Sequence, residues 1–190
     1  LGNILAEQDR LAESIDAYRQ ALKINSDYSE AYNNLGSALQ LNTDFKAAKR
    51  AYCKVLEMQP QFAAAHKNLG LLSLLMGDFQ NGWKEYEWRW QCDDFAAERH
   101  RFPQPFWDGS SLNQKTILVW TEQGVGDEIM FSSMLPTLLK IDVRVIVECT
   151  RRLIPLFQRA FPGVRFIPRE NPVNRQLLDM AIDCQIPMLS

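Results

Sequence analysis

Apolar and polar positions repeat with a period of 34 along residues 1–94. The pair Leu1-Gly2 returns as Leu35-Gly36 and again as Leu69-Gly70, and an aromatic residue stands sixteen positions after each glycine. These aromatic residues are Tyr18, Tyr52 and Tyr86. Within each period, two apolar segments with helical spacing are separated by turn-forming residues. The pattern predicts about three helical hairpins, the first of which lacks the start of its first helix.

Small and bulky residues alternate in a way that allows these hairpins to stack. Gly36 and Gly70 have no Cβ, so two helices can approach closely there, and Tyr52 and Tyr86 fill the space between hairpins. A single hairpin cannot bury its own apolar face, so its neighbours must supply the core. The period and the Leu-Gly-to-aromatic spacing resemble the tetratricopeptide repeat. That resemblance implies a solenoid whose concave face binds a protein or peptide.

Polar residues on the first helix of each hairpin are the candidates for that binding. Asn34 and Asn68 hold the same place in successive repeats and resemble the asparagine ladder of O-GlcNAc transferase repeats. There, the side-chain amides hold the backbone of an extended peptide, because an amide both donates and accepts hydrogen bonds. The alternative is that both side chains are solvated or bond a neighbouring turn. Further candidates on this face are Asn33, Ser37, Lys67 and Leu71.

The hydrophobic period changes after residue 94. Residues 95–112 combine prolines with aromatic residues, which predicts an ordered connector. From 113 to 190, short apolar runs alternate with helical segments, which predicts a parallel sheet. The expected strands and helices are Thr116–Trp120, Ile129–Leu139, Val143–Cys149, Arg151–Ala160, Val164–Ile167 and a helix end with a fourth strand within 177–187. The predicted fold class is α plus α/β: a helical hairpin solenoid followed by an incomplete Rossmann-like parallel unit.

A glycine-bearing loop after the first predicted strand carries the clearest chemical signal. Its sequence is Glu122-Gln123-Gly124-Val125-Gly126-Asp127. Ligands of parallel sheets bind at the carboxyl ends of the strands, and a helix start offers N–H groups to an anion or a hydroxyl. As a dinucleotide motif the loop lacks its third glycine, because Ile129 stands there. Glu148 nevertheless ends the second strand, where a ribose-binding acid would lie.

The connector and this loop resemble bacterial proteins in which tetratricopeptide repeats precede a GT-B glycosyltransferase domain. That domain is similar to the ADP-heptose:lipopolysaccharide heptosyltransferase family. The matching segments are Phe102–Gly109, Trp120–Phe131 and Leu135-Pro136. The resemblance implies that residues 113–190 are part of the acceptor-binding half of such an enzyme. The nucleotide-sugar would then need a C-terminal domain that is missing, and this fragment alone would be inactive.

The same resemblance assigns roles within the loop. Asp127 would be the general base that takes the proton of the acceptor hydroxyl, and Glu122, Gly124 and Gly126 would shape the acceptor or phosphate loop. Alternatively, Asp127 only caps a helix that begins near Glu128, and the two roles stay open. Glu128 departs from the small or hydroxyl residue that is common after that aspartate. A non-catalytic interaction scaffold built on the repeats is the alternative function.

Composition narrows the remaining classes of function. The net charge of -2 gives no general case for binding nucleic acid or an anionic membrane. Two histidines and four well-separated cysteines disfavour a metal site and are typical of reduced thiols in a cytoplasmic protein. No cofactor and no transmembrane segment are expected. Seven arginines lie between Arg144 and Arg175, for which a solvated face is favoured over a phosphate-binding face.

Overall fold

The computed structural model describes residues 1–122 and 124–190, apart from the side chains of Ala96 and Ala97. Gln123, in the glycine-bearing loop, lies outside the described residues. The chain divides into two compact units, Leu1–Ala96 and Ala97–Ser190. We call them the helical unit and the α/β unit and describe each by itself.

The helical unit consists of consecutive helical hairpins, as the 34-residue period predicts. The hairpins pair α1 with α2, α3 with α4 and α5 with α6, and a 3-10 turn at Glu87–Gln91 leads into α7. The helices are α1 (Gly2–Glu7), α2 (Leu11–Ile24), α3 (Ser29–Leu41), α4 (Phe45–Met58), α5 (Ala63–Leu75), α6 (Phe79–Tyr86) and α7 (Asp93–Arg99). Asp44 and Asp78 cap α4 and α6 by accepting hydrogen bonds from backbone N–H groups in the first turn.

The glycine and tyrosine positions of the repeat fit together as the sequence predicts. A Cβ added to Gly36 would lie 2.5 Å from the ring of Tyr52, and one added to Gly70 would lie 2.6 Å from the backbone nitrogen of Tyr86. Tyr52 is buried in a core that also contains Leu35, Leu39, Ala48 and Leu72. The helices therefore approach closely because glycine leaves room for the tyrosine of the following helix.

The α/β unit contains a four-stranded parallel sheet, which confirms the predicted fold class. The strand order is β3-β2-β1-β4, and every strand pair is parallel, with Val119 opposite Val147 and Ile186. The strands are β1 (Thr116–Trp120), β2 (Arg144–Cys149), β3 (Arg165–Pro168) and β4 (Cys184–Pro187). The helices are α8 (Val125–Phe131), α9 (Leu135–Leu138), α10 (Ile154–Ala160) and α11 (Arg175–Leu178).

The helix predicted at Ile129–Leu139 is instead broken into shorter pieces. It begins earlier, as α8, passes through a 3-10 turn at Ser132–Met134 and continues as α9. Pro136 lies in the first turn of α9, where its missing N–H is tolerated but cannot continue a preceding helix. Ser132 and Ser133 each donate to a carbonyl three residues earlier, at 2.7 Å. These side chains satisfy carbonyls where the helix is interrupted.

The two faces of the sheet are covered differently. On one face, Val119 and Val147 pack in a core with Leu135 and Phe157 from the helices. On the other face lie Phe102 and Gln104 of the predicted connector, and residues 105–107 then hydrogen-bond along the edge of β4, where Trp107 reaches the first core. The Phe102 ring is 5.9 Å from that of Trp120. The side chain of Gln185 donates to the carbonyls of Phe102 and Gln104, at 3.1 and 2.7 Å. This segment is held to the sheet by specific hydrogen bonds.

Candidate functional site

Four asparagines on the first helices of the hairpins form a connected network. Asn34 Nδ2 donates to Asn3 Oδ1 at 3.2 Å, and the Tyr18 hydroxyl donates to the same oxygen at 2.5 Å. Asn33 Nδ2 donates to Asn34 Oδ1 at 3.4 Å, and Asn68 Nδ2 donates to Asn33 Oδ1 at 3.0 Å. We call Asn3, Asn33, Asn34 and Asn68 the amide row. It links α1, α3 and α5, one helix from each hairpin.

In each of the first two hairpins, a tyrosine of the second helix donates to a polar side chain of the first helix, but only Tyr18 bonds a member of the amide row. Tyr52 and Ser37 lie one period after Tyr18 and Asn3, and the Tyr52 hydroxyl donates to Gln40 at 3.1 Å and to Ser37 at 3.3 Å. Burial raises the pKa of Tyr52, which keeps its hydroxyl a donor. The next equivalent position is Leu71, which has no polar side-chain atom. This repeat position therefore carries a polar side chain only in the first two hairpins.

The structure brings together most of the residues predicted for the partner-binding face. Asn33, Asn34 and Asn68 bond one another directly, so the alternative in which they bond only water or a neighbouring turn does not describe them. Lys67 stays outside the amide row, with its ammonium 3.9 Å from the Asp94 carboxylate and 5.7 Å from the Phe95 ring centre. Leu71 is exposed. Lys67 and Leu71 remain predictions as contact residues.

Asn3 is the member of the row that the sequence analysis missed. The 34-residue period aligns Asn3 with Ser37 and Leu71, so no shared residue type drew attention to it. A signal was nevertheless available, because Asn3 directly follows Gly2 and stands fifteen residues before Tyr18. A side chain beside that glycine faces the tyrosine of the same hairpin, as the hydrogen bond from Tyr18 shows.

The amide row retains hydrogen-bonding capacity, one groove borders it, and a second groove lies beside Lys67, next to Asn68 in the sequence. Among the described residues, no donor bonds Asn68 Oδ1, and the row leaves one N–H of the Asn34 amide unused. A groove of about 520 Å³ borders Asn3 and Asn34. A second groove, of about 810 Å³, borders Lys67 and Asp94. The arrangement can accept a polar backbone beside the amides and side chains in the grooves.

In the α/β unit, Asp127 lies at the carboxyl edge of the sheet, in the first turn of α8. Gly124 is the N-cap residue of this helix, and no side chain caps it. The helix thus starts before Asp127, and the alternative in which Asp127 is the cap of a helix beginning near Glu128 is wrong. The backbone N–H of Asp127 donates to the Gly124 carbonyl at 3.0 Å. Its carboxylate lies at the N-terminal end of α8, where the helix dipole is positive.

The cavity beside the Asp127 side chain is small. The cavity that it lines with Thr121, Glu122 and Glu128 has a volume of only about 10 Å³, roughly the least that holds one water molecule. Neither loop glycine is required by close packing, since a Cβ on Gly126 would meet nothing within 4 Å and one on Gly124 would lie 3.9 Å from Asp127.

Two buried glutamates near this edge have structural partners. Glu128 is 2% exposed and accepts hydrogen bonds from the backbone and hydroxyl of Thr150, at 2.9 and 2.6 Å. It therefore joins α8 to the end of β2. Glu148 is fully buried and accepts two hydrogen bonds from Arg101. Burial raises the pKa of Glu148, and Arg101 opposes that rise. Because Arg101 occupies the Glu148 carboxylate, Glu148 is unavailable to the ribose of a dinucleotide, and this argues against dinucleotide binding at the loop.

We expect Cys149, the last residue of β2, to resist alkylation in the native protein. Burial raises the pKa of this thiol from its ordinary value of 9.0 to about 12, and the Glu128 and Glu148 carboxylates add to the rise. Near pH 8 its thiolate fraction should be about a thousandfold below that of an ordinary cysteine. Mass-spectrometric mapping after iodoacetamide treatment should find Cys149 unmodified until denaturant is added, while half-buried Cys53 serves as the internal control. Labelling of both thiols at equal rates would contradict the assignment.

Metal and membrane features were also sought in the structure. Within residues 1–122 and 124–190, no three His, Cys, Asp or Glu side chains are grouped so that they could hold a metal ion. The described helices include none whose length and hydropathy would suit a membrane span.

Comparisons with known proteins agree with the helical part of this description. Residues 2–42 match the family model described as TPR repeat, and residues 29–62 match that described as Tetratricopeptide repeat. Residues 2–62 therefore consist of tetratricopeptide repeats, and the third hairpin continues the same 34-residue period. Protein FlbA of Caulobacter vibrioides is 34% identical over 174 residues, which cover 86% of this chain and 28% of FlbA. The chain thus spans less than a third of the length of this curated relative, and the similarity extends beyond the helical unit.

Several solved structures are also similar to part of the chain. A crystal structure of MamA has 26% identity and a TM-score of 0.45, covering 52% of this chain and 57% of MamA. The TPR2B domain of yeast Sti1, in its complex with pHsp70, has 16% identity and a TM-score of 0.47, covering 52% of this chain and 82% of that one. YrrB, described as a TPR protein with an unusual peptide-binding site, has 17% identity and a TM-score of 0.46, covering 54% of each chain.

Proposed function

We propose that the helical unit binds an extended segment of a partner protein along the amide row. Tetratricopeptide repeats typically mediate protein or peptide binding, and the amide row supplies a specific place for it here. The observation that carries the proposal is the chain of hydrogen bonds from Asn3 through Asn34 and Asn33 to Asn68. Each amide is held in one orientation before a ligand arrives. Preorganised groups lose less side-chain entropy on binding, so more of each new hydrogen bond appears as affinity.

The chemistry of the row favours the peptide backbone over any particular side chain. A carboxamide can donate to a peptide C=O and accept from a peptide N–H, and a net hydrogen bond contributes about 1 kcal/mol. The side chain of Asn68 has an acceptor that is not used within the described residues. An extended strand has unpaired N–H and C=O groups along its length. The row thus supports binding with little dependence on sequence, and the bordering grooves would supply selectivity.

This proposal can be tested with peptides selected from a random display library on the full chain. We expect Asn34→Ala and Asn68→Ala each to weaken binding of a selected peptide by about fivefold, as loss of about 1 kcal/mol requires. Gln80→Ala, an exposed amide on the second helix α6, is the matched control and should leave the affinity unchanged. Isothermal calorimetry measures the affinities, and circular dichroism checks the fold. Equal affinity of the Asn34→Ala/Asn68→Ala double variant would exclude the amide row as the site.

For the α/β unit, we propose the acceptor side of a glycosyltransferase whose donor side lies in a further domain. The observation in favour is the position of Asp127, in the first turn of the helix that follows β1, at the carboxyl edge of a parallel sheet. There its carboxylate could take the proton of an acceptor hydroxyl as that oxygen attacks the anomeric carbon of the sugar and the nucleotide leaves. If the protein is instead a non-catalytic interaction scaffold, the helical unit binds its peptide in the same way and Asp127 has no catalytic role.

The full-length protein distinguishes these two readings. Released nucleotide should be measured with a panel of nucleotide-sugars, for Asp127→Asn and for the matched control Asp142→Asn, an exposed aspartate before β2. A glycosyltransferase predicts loss of most transfer in Asp127→Asn and none in the control. Unchanged transfer in Asp127→Asn would remove its role as base. Absence of turnover in the wild-type protein would leave the scaffold as the function.

A further inference from the structure

The arginine-rich part of the sequence is not used by either proposed site. Two of its arginines are paired, Arg151 with Glu170 at 2.6 Å and Arg169 with Glu98 at 3.0 Å. The remaining arginines are exposed and form no ion pair with another described residue. They are Arg144, Arg152, Arg159, Arg165 and Arg175. Exposed cations without carboxylate partners are available to an external anion.

Three of these arginines gather at the amino edge of the sheet, opposite the glycine-bearing loop. Arg144 and Arg165 begin β2 and β3, and the register, in which Ile146 faces Arg165, places both on one face of the sheet. Ordinary strand spacing then puts their Cα atoms about 8 Å apart. Helix α10 runs back between these parallel strands on the opposite face, where Phe157 packs with Val147 and Phe166. Arg159 in its last turn therefore lies at the same edge but beyond that other face, and Lys140 lies at this edge just before β2. We call these four residues the basic edge.

Exposed aliphatic side chains border the basic edge. Leu139 and Ile141 flank Lys140 and are 38% and 47% exposed, and Leu156, one helical turn before Arg159, is 44% exposed. Within residues 139–144 Asp142 is the one carboxylate, beside Lys140 and Arg144, so positive charges exceed negative ones there. Cations beside exposed aliphatic groups suit an anionic lipid surface, where the charges meet phosphates and the aliphatic groups enter the headgroup boundary. Single-stranded nucleic acids instead stack on aromatic side chains.

We propose that the basic edge and its bordering aliphatic side chains dock the protein onto an anionic lipid surface. This attachment is peripheral and goes beyond both proposed functions. The net charge of -2 argued against such binding at the sequence level because it sums the whole chain and conceals a local excess of cations. Only the folded sheet brings residues from the starts of β2 and β3 and the end of α10 to one edge.

Co-sedimentation of the full chain with phospholipid vesicles tests this proposal. We expect binding to vesicles containing phosphatidylglycerol, decreasing as salt is added, and little binding to pure phosphatidylcholine. The triple change Arg144→Gln/Arg159→Gln/Arg165→Gln should weaken binding on the order of a hundredfold, about fivefold for each charge. The matched control changes three exposed arginines at the other edge, Arg99, Arg152 and Arg175, to Gln and should stay within about twofold of wild type. Equal binding to neutral vesicles, or an equal loss in the control, would overturn the proposal.

A second variant separates a lipid surface from a soluble polyanion. Ile141→Ser keeps every charge, so we expect about fivefold weaker vesicle binding with unchanged binding to heparin. Circular dichroism of each variant checks that the fold is retained. Heparin binding without vesicle binding, or an Ile141→Ser variant that binds vesicles as the wild type does, would reject lipid docking in favour of a soluble anion.

Discussion

Replacing Gly70 by alanine should lower the free energy of unfolding of the helical unit by about 1–2 kcal/mol. The new methyl group would lie 2.6 Å from the backbone nitrogen of Tyr86 and 2.9 Å from its Cα. Backbone atoms cannot turn aside as a side chain can, so α5 and α6 must separate. Forced overpacking costs about 1–3 kcal/mol or more, whereas the gain in helix propensity from glycine to alanine is only about 1 kcal/mol.

Two further glycines show whether close packing is the cause. Gly126 also lies in a helix, but its added methyl group would meet nothing within 4 Å, so Gly126→Ala should be neutral or slightly stabilising. Gly36→Ala should destabilise as Gly70→Ala does, because its methyl group meets the fully buried ring of Tyr52. Urea unfolding followed by circular dichroism gives the free energies, and hydrogen exchange assigns them to helices. A Gly70→Ala variant as stable as Gly126→Ala would show that the helices separate without cost.

The periodic part of the fold was accessible from the sequence because one contact recurs at one spacing. Gly2 with the Tyr18 ring and Gly36 with the Tyr52 ring repeat the same contact in successive hairpins, and Gly70 lies equally close to the backbone of Tyr86. The 34-residue period therefore predicts hairpins and stacking together. The parallel strands were equally readable, because each is a short buried apolar run. The ends of the helices were harder to predict from the sequence, since the break near Pro136 depends on which helical turn the proline occupies.

The polar contacts that define the sites could be predicted only in part. Asn34 and Asn68 stood out because they share a repeat position, but the bond between Asn68 and Asn33 joins different positions of the repeat. Glu148 resembled a ribose-binding acid because the sequence cannot show that Arg101, 47 residues away, occupies it. A side chain's availability depends on partners that the fold brings from distant parts of the chain.

The buried ion pair between Arg101 and Glu148 supplies the second large effect. Arg101→Met should lower the free energy of unfolding of the α/β unit by about 3–5 kcal/mol, because it leaves a buried carboxylate without its cation. Arg101 also donates to the Glu170 carbonyl at 2.7 Å, and that bond is lost as well. The matched control is Arg151→Met, which removes an exposed pair with Glu170 and should cost less than about 1 kcal/mol. Urea unfolding of each variant measures the difference.

The pH dependence of this destabilisation follows from the raised pKa of Glu148. Burial already raises that pKa above its ordinary value of 4.5, and removal of Arg101 removes an interaction that opposes the rise. The folded state then holds a proton that the unfolded state has released, so stability falls as pH increases from the unfolded pKa through the folded one. The loss in Arg101→Met should be largest at neutral and alkaline pH and smaller as pH is lowered towards 4.5.

A second change at Glu148 separates the buried charge from lost packing. In the Arg101→Met/Glu148→Gln double variant no ionised group remains in the pair, so the pH-dependent part of the loss should disappear. Near neutral pH the double variant should be more stable than Arg101→Met by about 2 kcal/mol, because a neutral amide costs less to bury than a carboxylate. If the two variants were equally stable across that range, packing of the Arg101 side chain, and not the charge of Glu148, would hold residues 101–107 to the sheet.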